Sequence, residues 1–290
     1  MITGYFLGCP SWGLKDWVGN LYRRGTRPGA FLDEYARVFN AVEGNTTFYG
    51  VPKAASVKRW CEATPPGFRF CFKIPQSVTH RQALTGAEAE TEAFLERMAP
   101  LGERLGPFMV QLPPWFGPER LEALDRFLRG LPGGLDFAVE LRHPRFYGDE
   151  PLRRLDDLLA ERGVGRVVLD TRPLRGGDPS HPDAAGCDKP DLPIRPPTPR
   201  TTSFASPILR FISHPDDRTN DAWIELWSAQ LRDWIDAGWR PYVFVHCPND
   251  LHAPRIARRL HQRLETLAEV GTMPPWPGET DTEAPQLSLW

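Results

Sequence analysis

Val42-Glu43-Gly44-Asn45-Thr46-Thr47-Phe48-Tyr49 is the stretch on which the reading of this chain turns. An amphipathic run, Phe31 to Phe39, precedes it, and Val51-Pro52 opens another. An apolar strand that ends in an acid and an amide is how a (β/α) barrel builds a site: the strand supplies rigidity and its C-terminal end supplies chemistry. Taken alone, the stretch fits a polar turn between a strand and a helix equally well.

The pattern recurs along the chain. Apolar runs ending in a polar side chain lie at Tyr5–Cys9, Ala41–Asn45, Phe68–Lys73, Phe108–Gln111, Asp136–Glu140, Arg166–Asp170, Pro207–His214 and Tyr242–His246. Amphipathic stretches separate them: Pro28–Phe39, Pro52–Cys61, Glu88–Leu101, Pro118–Leu128, Glu150–Arg162, Asp221–Ala237 and Ala253–Leu267. Alternating strand and helix patterns predict an α/β fold with parallel strands. Eight strands in a chain of 290 residues predict a single (β/α)8 TIM-type barrel. No GxGxxG follows the first run, which speaks against dinucleotide binding.

A net charge of −2 gives no global pull toward nucleic acid or anionic lipid. The first residues carry no basic stretch of a signal peptide, and no apolar run reaches the ~20 residues of a membrane helix. Five cysteines without CxxC spacing point to a reducing, cytoplasmic setting. Cys9 and Cys187 are expected near the barrel mouth, as buried or incidental thiols rather than metal ligands.

Residues 1–271 are read as the barrel. Within it, residues 171–206 form a Pro/Gly-rich loop between strands six and seven, either a lid or substrate clamp on the catalytic face or a disordered insertion. Residues 272–290 read as a flexible, solvated, Pro- and acid-rich tail. It finishes in Gln286-Leu287-Ser288-Leu289-Trp290, which resembles the motif by which bacterial proteins dock on the DNA sliding clamp. Gln286, Leu287, Leu289 and Trp290 are then partner-binding residues; the alternative is a tail folded back onto an apolar patch.

Strand side chains alternate, so parity sorts barrel interior from helix layer. It directs Glu43, Asn45, Lys73, Gln111, Glu140, Arg142, Asp170, Arg210, His214 and His246 inward, near the mouth, and leaves the first strand ambiguous. A structural core would hold Val, Ile and Leu here. Charges of both signs instead imply pairing, a metal or a charged ligand. The bland alternative is a self-neutralising network, for example Lys73 with Glu43 and Arg142 with Glu140. His80, just after the third strand, is either a general acid–base group or a loop histidine.

These residues resemble the YecE-like family, domain of unknown function family 72. The matches are Trp12 and Trp17, residues 42–49 as quoted, Trp60, Thr64-Pro65-Pro66-Gly67-Phe68, Phe72-Lys73, Thr79-His80, Gln111-Leu112-Pro113-Pro114 and Ala138-Val139-Glu140-Leu141-Arg142-His143. Two places depart from the pattern, Cys9-Pro10-Ser11 and Phe211-Ile212-Ser213-His214-Pro215. The resemblance implies a TIM barrel with a polar pocket and supplies no reaction.

The leading expectation is metal-assisted hydrolysis of a phosphate ester, in DNA maintenance. Glu43, Glu140, Asp170, His214 and His246 would hold a divalent metal. Glu43, Lys73, His80, Glu140, Asp170 and His246 would be catalytic. Asn45, Gln111, Arg142, Arg210 and Trp12 would bind substrate. Two alternatives stay open. One is a metal-free lyase, isomerase or glycosidase on a small anionic or sugar ligand, with paired Glu43 and Glu140 or a Schiff-base Lys73. The other is a non-catalytic nucleic-acid-binding or clamp-associated module with a basic rim at Arg23, Arg24, Arg27, Lys53, Lys58 and Arg59.

Overall fold

The structure, a computed structural model, describes residues 1–184, 189–198 and 206–280. Cys187, part of the loop before the seventh strand, and the terminal motif Gln286–Trp290 lie outside these residues.

Eight strands follow the order anticipated: β1 (Phe6–Gly8), β2 (Ala41–Gly44), β3 (Arg69–Phe72), β4 (Phe108–Gln111), β5 (Phe137–Glu140), β6 (Gly165–Asp170), β7 (Ile208–Ile212) and β8 (Tyr242–His246). Helices alternate with them: α1 (Phe31–Tyr35), α2 (Thr46–Tyr49), α3 (Ala54–Glu62), α4 (Glu88–Met98), α5 (Leu121–Arg129), α6 (Asp149–Arg162), α7 (Arg172–Arg175), α8 (Asp221–Asp236) and α9 (Ala253–Glu265). Local chemistry sets several boundaries. Pro118 opens the single turn that leads into α5, and Gly163, at φ 63°, closes α6 in the left-handed conformation that glycine adopts without strain.

Every strand pairing is parallel. Hydrogen-bonded ladders join six strands in the order β1-β8-β7-β6-β5-β4 and, separately, β2 with β3. The sheet is thus an α/β arrangement of parallel strands whose ladders do not close into one ring. At the two seams isolated contacts stand in place of ladders, among them the Gly106 amide donating to the Phe70 carbonyl at 2.8 Å between β3 and β4. The Glu43 amide donates to the Cys9 carbonyl at 3.1 Å, and the Ile74 amide to the Met109 carbonyl at 3.0 Å. Gly8 is required at the first seam, because a Cβ there would fall 2.0 Å from the Ala41 carbonyl oxygen.

Two apolar clusters form. The larger lies between strands and helices and holds Phe68, Phe70 and Phe72 of the third strand region, Leu209 and Phe211 of β7, and Val243 and Val245 of β8. The smaller takes a side chain from each of the eight strands: Phe6, Ala41, Cys71, Met109, Ala138, Val167, Ile208 and Tyr242, with Phe244 added from β8. The first strand's phase, ambiguous in the sequence, is settled by Phe6 stacking on Tyr242 in this inner cluster while Leu7 joins the outer one. Cys9, just past the C-terminal end of β1, is buried in the outer cluster.

Part of the expected solvated tail is not solvated. Trp276 is buried and stacks under the Arg258 guanidinium, which pairs with Glu279. Gly278 packs so closely on the Asn20 and Tyr22 backbone that a Cβ would overlap it. Residues 272–280 therefore belong to the folded body. Among the described residues no helix is long and apolar enough to cross a membrane.

Candidate active site

Two residues beyond each of several inner-cluster side chains, the next inward position is polar. Ala41 leads to Glu43, Cys71 to Lys73, Met109 to Gln111, Ala138 to Glu140, Ile208 to Arg210 and Phe244 to His246. The period-2 geometry of a strand thus stacks a charged layer on an apolar one at the C-terminal strand ends. The stretch after β2 is braced onto β3: Thr47 Oγ1 donates to the Lys73 carbonyl at 2.8 Å and to that of Gly44 at 3.1 Å. Gly44 leaves room for Phe72, whose ring would lie 2.3 Å from a Cβ.

Arg210 is the centre of the charged layer. Its Nε and Nη2 donate to the two oxygens of Glu43, each at 2.8 Å, and its Nη1 donates to Glu140 Oε2 at 2.8 Å. Arg142 pairs with the other Glu140 oxygen and donates to Gln111 Oε1 at 3.3 Å. Lys73 Nζ lies 3.5 Å from Glu43 Oε1, and His246 Nε2 lies 2.9 Å from Glu43 Oε2. Both ion pairs named as the bland alternative are therefore present, joined by an arginine that bridges them.

The electrostatics follow from this wiring. Burial alone would raise both carboxyl groups, but the adjacent cations outweigh it. Arg210 leads in holding Glu43 well below the usual range, and Arg142 with Arg210 draws Glu140 down to about 2. Burial, aided by Arg210 and Arg142, lowers the Lys73 amine to about 8 against the pull of Glu43 and Glu140. Burial lowers His246 to about 4, so its imidazole is neutral at pH 7. An ionised Glu43 can only accept, so the neutral ring must carry its proton on Nε2.

This state of His246 has a measurable consequence. Its charged neighbours are Glu43, Arg210 and Lys189. Between pH 6.5 and about 4 the unfolded chain binds a proton at this position that the native ring refuses. Stability therefore falls as pH drops through that window, by about 3 kcal/mol at its acid end. His246→Gln should flatten the loss of urea stability between pH 7 and 4.5. An unchanged slope would mean that the native imidazole is already protonated.

A 320 Å³ cavity opens above the charged layer, lined by Asn45, Lys73, Gln111, Arg142, Arg210 and His246. Residues that the sequence reading did not assign complete it: Pro10, Phe48, Tyr49, Lys189, Ile212, Cys247, Pro248 and Asp250. Asp250 has φ 58°, a left-handed conformation that Asp tolerates better than most residues. Trp17 Nε1 donates to its carbonyl at 3.1 Å, and burial pushes its carboxyl up to about 6. The turn-forming run Pro248-Asn249-Asp250 immediately after β8 was the available signal. Lys189 brings the long loop after β6 to the cavity, while Asn45 Nδ2 donates to the Pro10 carbonyl and leaves its buried Oδ1 without a partner.

Three expected positions differ, and a fourth, His80, is not among the residues that line the cavity. Asp170 is out of phase with Val167, which faces inward, and so points into the helix layer. There it accepts from the Trp227 indole at 2.7 Å and pairs with Arg172 at 2.8 Å. His214 is bound by the loop after β7: its Nδ1 accepts from the Asp216 amide at 3.0 Å, and its Nε2 lies 3.1 Å from the Asp178 carbonyl. Trp12 packs edge-on to Trp60 and Phe70 and does not line the cavity. His80 stands beside it, its ring against Phe48 and its Nδ1 2.8 Å from Thr79 Oγ1; burial, with Arg142 and Lys73, lowers its pKa.

The metal donor set therefore does not assemble. Asp170 and His214 are engaged elsewhere, and Glu43 and Glu140 are committed to Arg210. Among the described residues no group of three or more His, Cys, Asp and Glu is placed to hold a metal ion. Nor does the expected basic rim reach the cavity: Arg23 pairs with Glu34, and Lys58 with Glu62.

Fold and site together define a parallel α/β protein with a buried ion cluster beneath a small polar cavity at its C-terminal strand ends. The chain belongs to the family described as protein of unknown function DUF72, whose profile matches residues 6–280. It is 39% identical over 280 residues to the UPF0759 protein YecE of Escherichia coli K12, covering 95% of this chain and 98% of that protein. The UPF0759 protein YunF of Bacillus subtilis is 27% identical over 154 residues, 49% of this chain and 54% of its own length. Among solved structures, a DUF72 family protein from Thermotoga maritima superposes with a TM-score of 0.70 at 25% identity, covering 90% of this chain and 99% of its own. One from Enterococcus faecalis gives 0.69 at 23% identity, covering 93% and 98%.

Proposed function

We propose that this protein is a metal-free enzyme acting on a small anion, with Lys73 as the group that moves a proton. We read its eight strands as one (β/α)8 barrel. The inner apolar cluster supports this, since every strand contributes to it.

The observation that carries the functional reading is the charge balance at the cavity floor. Lys73, Arg142 and Arg210 face Glu43 and Glu140, so one cation is in excess whenever Lys73 is protonated. A small anion restores neutrality in a site where water screens little. The cavity is at the small end of ligand pockets, which suits a metabolite rather than a polymer. An amine near pH 8 is also poised to give or take a proton in the physiological range. Metal-assisted hydrolysis of a phosphate ester, the leading expectation from sequence, is not favoured, because its donors do not converge.

Sulfate, which does not titrate near neutrality, is the probe. Calorimetry should show binding at pH 6.5 that weakens about tenfold by pH 9, as Lys73 loses its proton beside Glu43, Glu140, Arg142, Arg210 and neighbouring His80. Lys73→Met should bind weakly at both pH values while remaining folded. No binding of sulfate, phosphate or acetate at any pH would sink the reading.

A further inference from the structure

Resting on that anion-binding reading, we propose that Lys73 is a nucleophile that forms an imine with a small oxo compound bearing a carboxylate or phosphate. Lys73 is the loosest member of the cluster. It lies 3.5 Å from Glu43, whereas Arg210 and His246 hold the same carboxylate at 2.8 and 2.9 Å. Glu43 thus keeps its charge balanced if the amine turns toward the cavity. The Phe48 ring lies 5.8 Å from Nζ and walls one side, so the amine is desolvated and flanked by Arg210 and Arg142. Burial beside other cations is the arrangement that keeps a lysine neutral enough to attack.

The rest of the cavity matches the remaining steps. Arg142 and Gln111 line it and can hold the ligand's anionic group. The Nζ lone pair attacks the carbonyl carbon; the N–C bond forms, and the oxygen takes up the proton that nitrogen loses. The product is a carbinolamine, whose hydroxyl must then leave. Asp250, which lines the same cavity, relays one proton from solvent to that hydroxyl. The C–O bond breaks, water leaves, and a cationic imine remains. That cation stands where the ammonium stood, beside Glu43, so the charge pattern of the cluster is restored.

The test is reductive trapping on the full chain. The protein is incubated with sodium cyanoborohydride and, separately, pyruvate or dihydroxyacetone phosphate, then mapped by peptide mass spectrometry. An adduct on Lys73 that sulfate suppresses, and whose yield rises with pH through about 8, is the expected result. The more reactive of the two compounds names the anionic group. Adducts spread over the exposed Lys15, Lys53 and Lys58, undiminished in Lys73→Met, would overturn the proposal. Sulfate binding without a Lys73 adduct would overturn the imine while leaving the anion site standing. Absence of both would overturn both.

Discussion

Arg210→Met should cost about 3–5 kcal/mol of stability at pH 8, because it strips the shared counter-ion from two fully buried carboxylates. Three charge-assisted hydrogen bonds disappear with it. Lys73 and Arg142 still face Glu43 and Glu140, which keeps the loss finite. Without Arg210 the folded-state carboxyl pKa values rise, so the variant should regain part of its deficit as pH falls toward 5. The deficit is read from urea unfolding of variant and wild type at the two pH values. A cost under about 1 kcal/mol at pH 8 would show that Arg210 is not the counter-ion that the geometry makes it.

The second large effect lies outside the site. Asp170→Ala should destabilise the protein by about 2–4 kcal/mol, since it leaves the buried Trp227 indole N–H unpaired and frees Arg172. It should leave sulfate affinity within a factor of two. Weakened sulfate binding in a variant of normal stability would return Asp170 to the cavity, where the sequence reading had put it. Stability and affinity are thus read on one variant, and only one combination fits a carboxylate facing the helix layer.

Asp170 also shows where sequence legibility ends. In β7, Leu209 and Phe211 alternate with Arg210, so chemistry marks which face is which, and the inward assignment of Arg210 could be made directly. In β6 the run Val167-Val168-Leu169 is apolar on both faces, as buried parallel strands are, and carries no phase. A shift of one residue then turns Asp170 to the wrong side. His214 was in phase with Arg210, but β7 ends at Ile212, and beyond a strand's end parity has no force. Trp12 was a question of packing against side chains distant in sequence, which no local pattern encodes. The cluster's members were legible because several strands independently place a polar residue two positions past a small or apolar one. That Arg210 would join Glu43 to Glu140 was not, since it depends on pairing across 167 and 70 residues of chain.

That bridge has a mechanical meaning. Glu43 stands on the two-stranded ladder, while Glu140 and Arg210 stand on the six-stranded one. The ion cluster is therefore a stitch across a seam that backbone hydrogen bonding leaves thin. Occupancy of the cavity and cohesion of the sheet draw on the same few atoms. A ligand that changed the charge on Lys73 would alter how firmly β2 and β3 are held, so amide exchange in those two strands would be a remote readout of whether the cavity is filled.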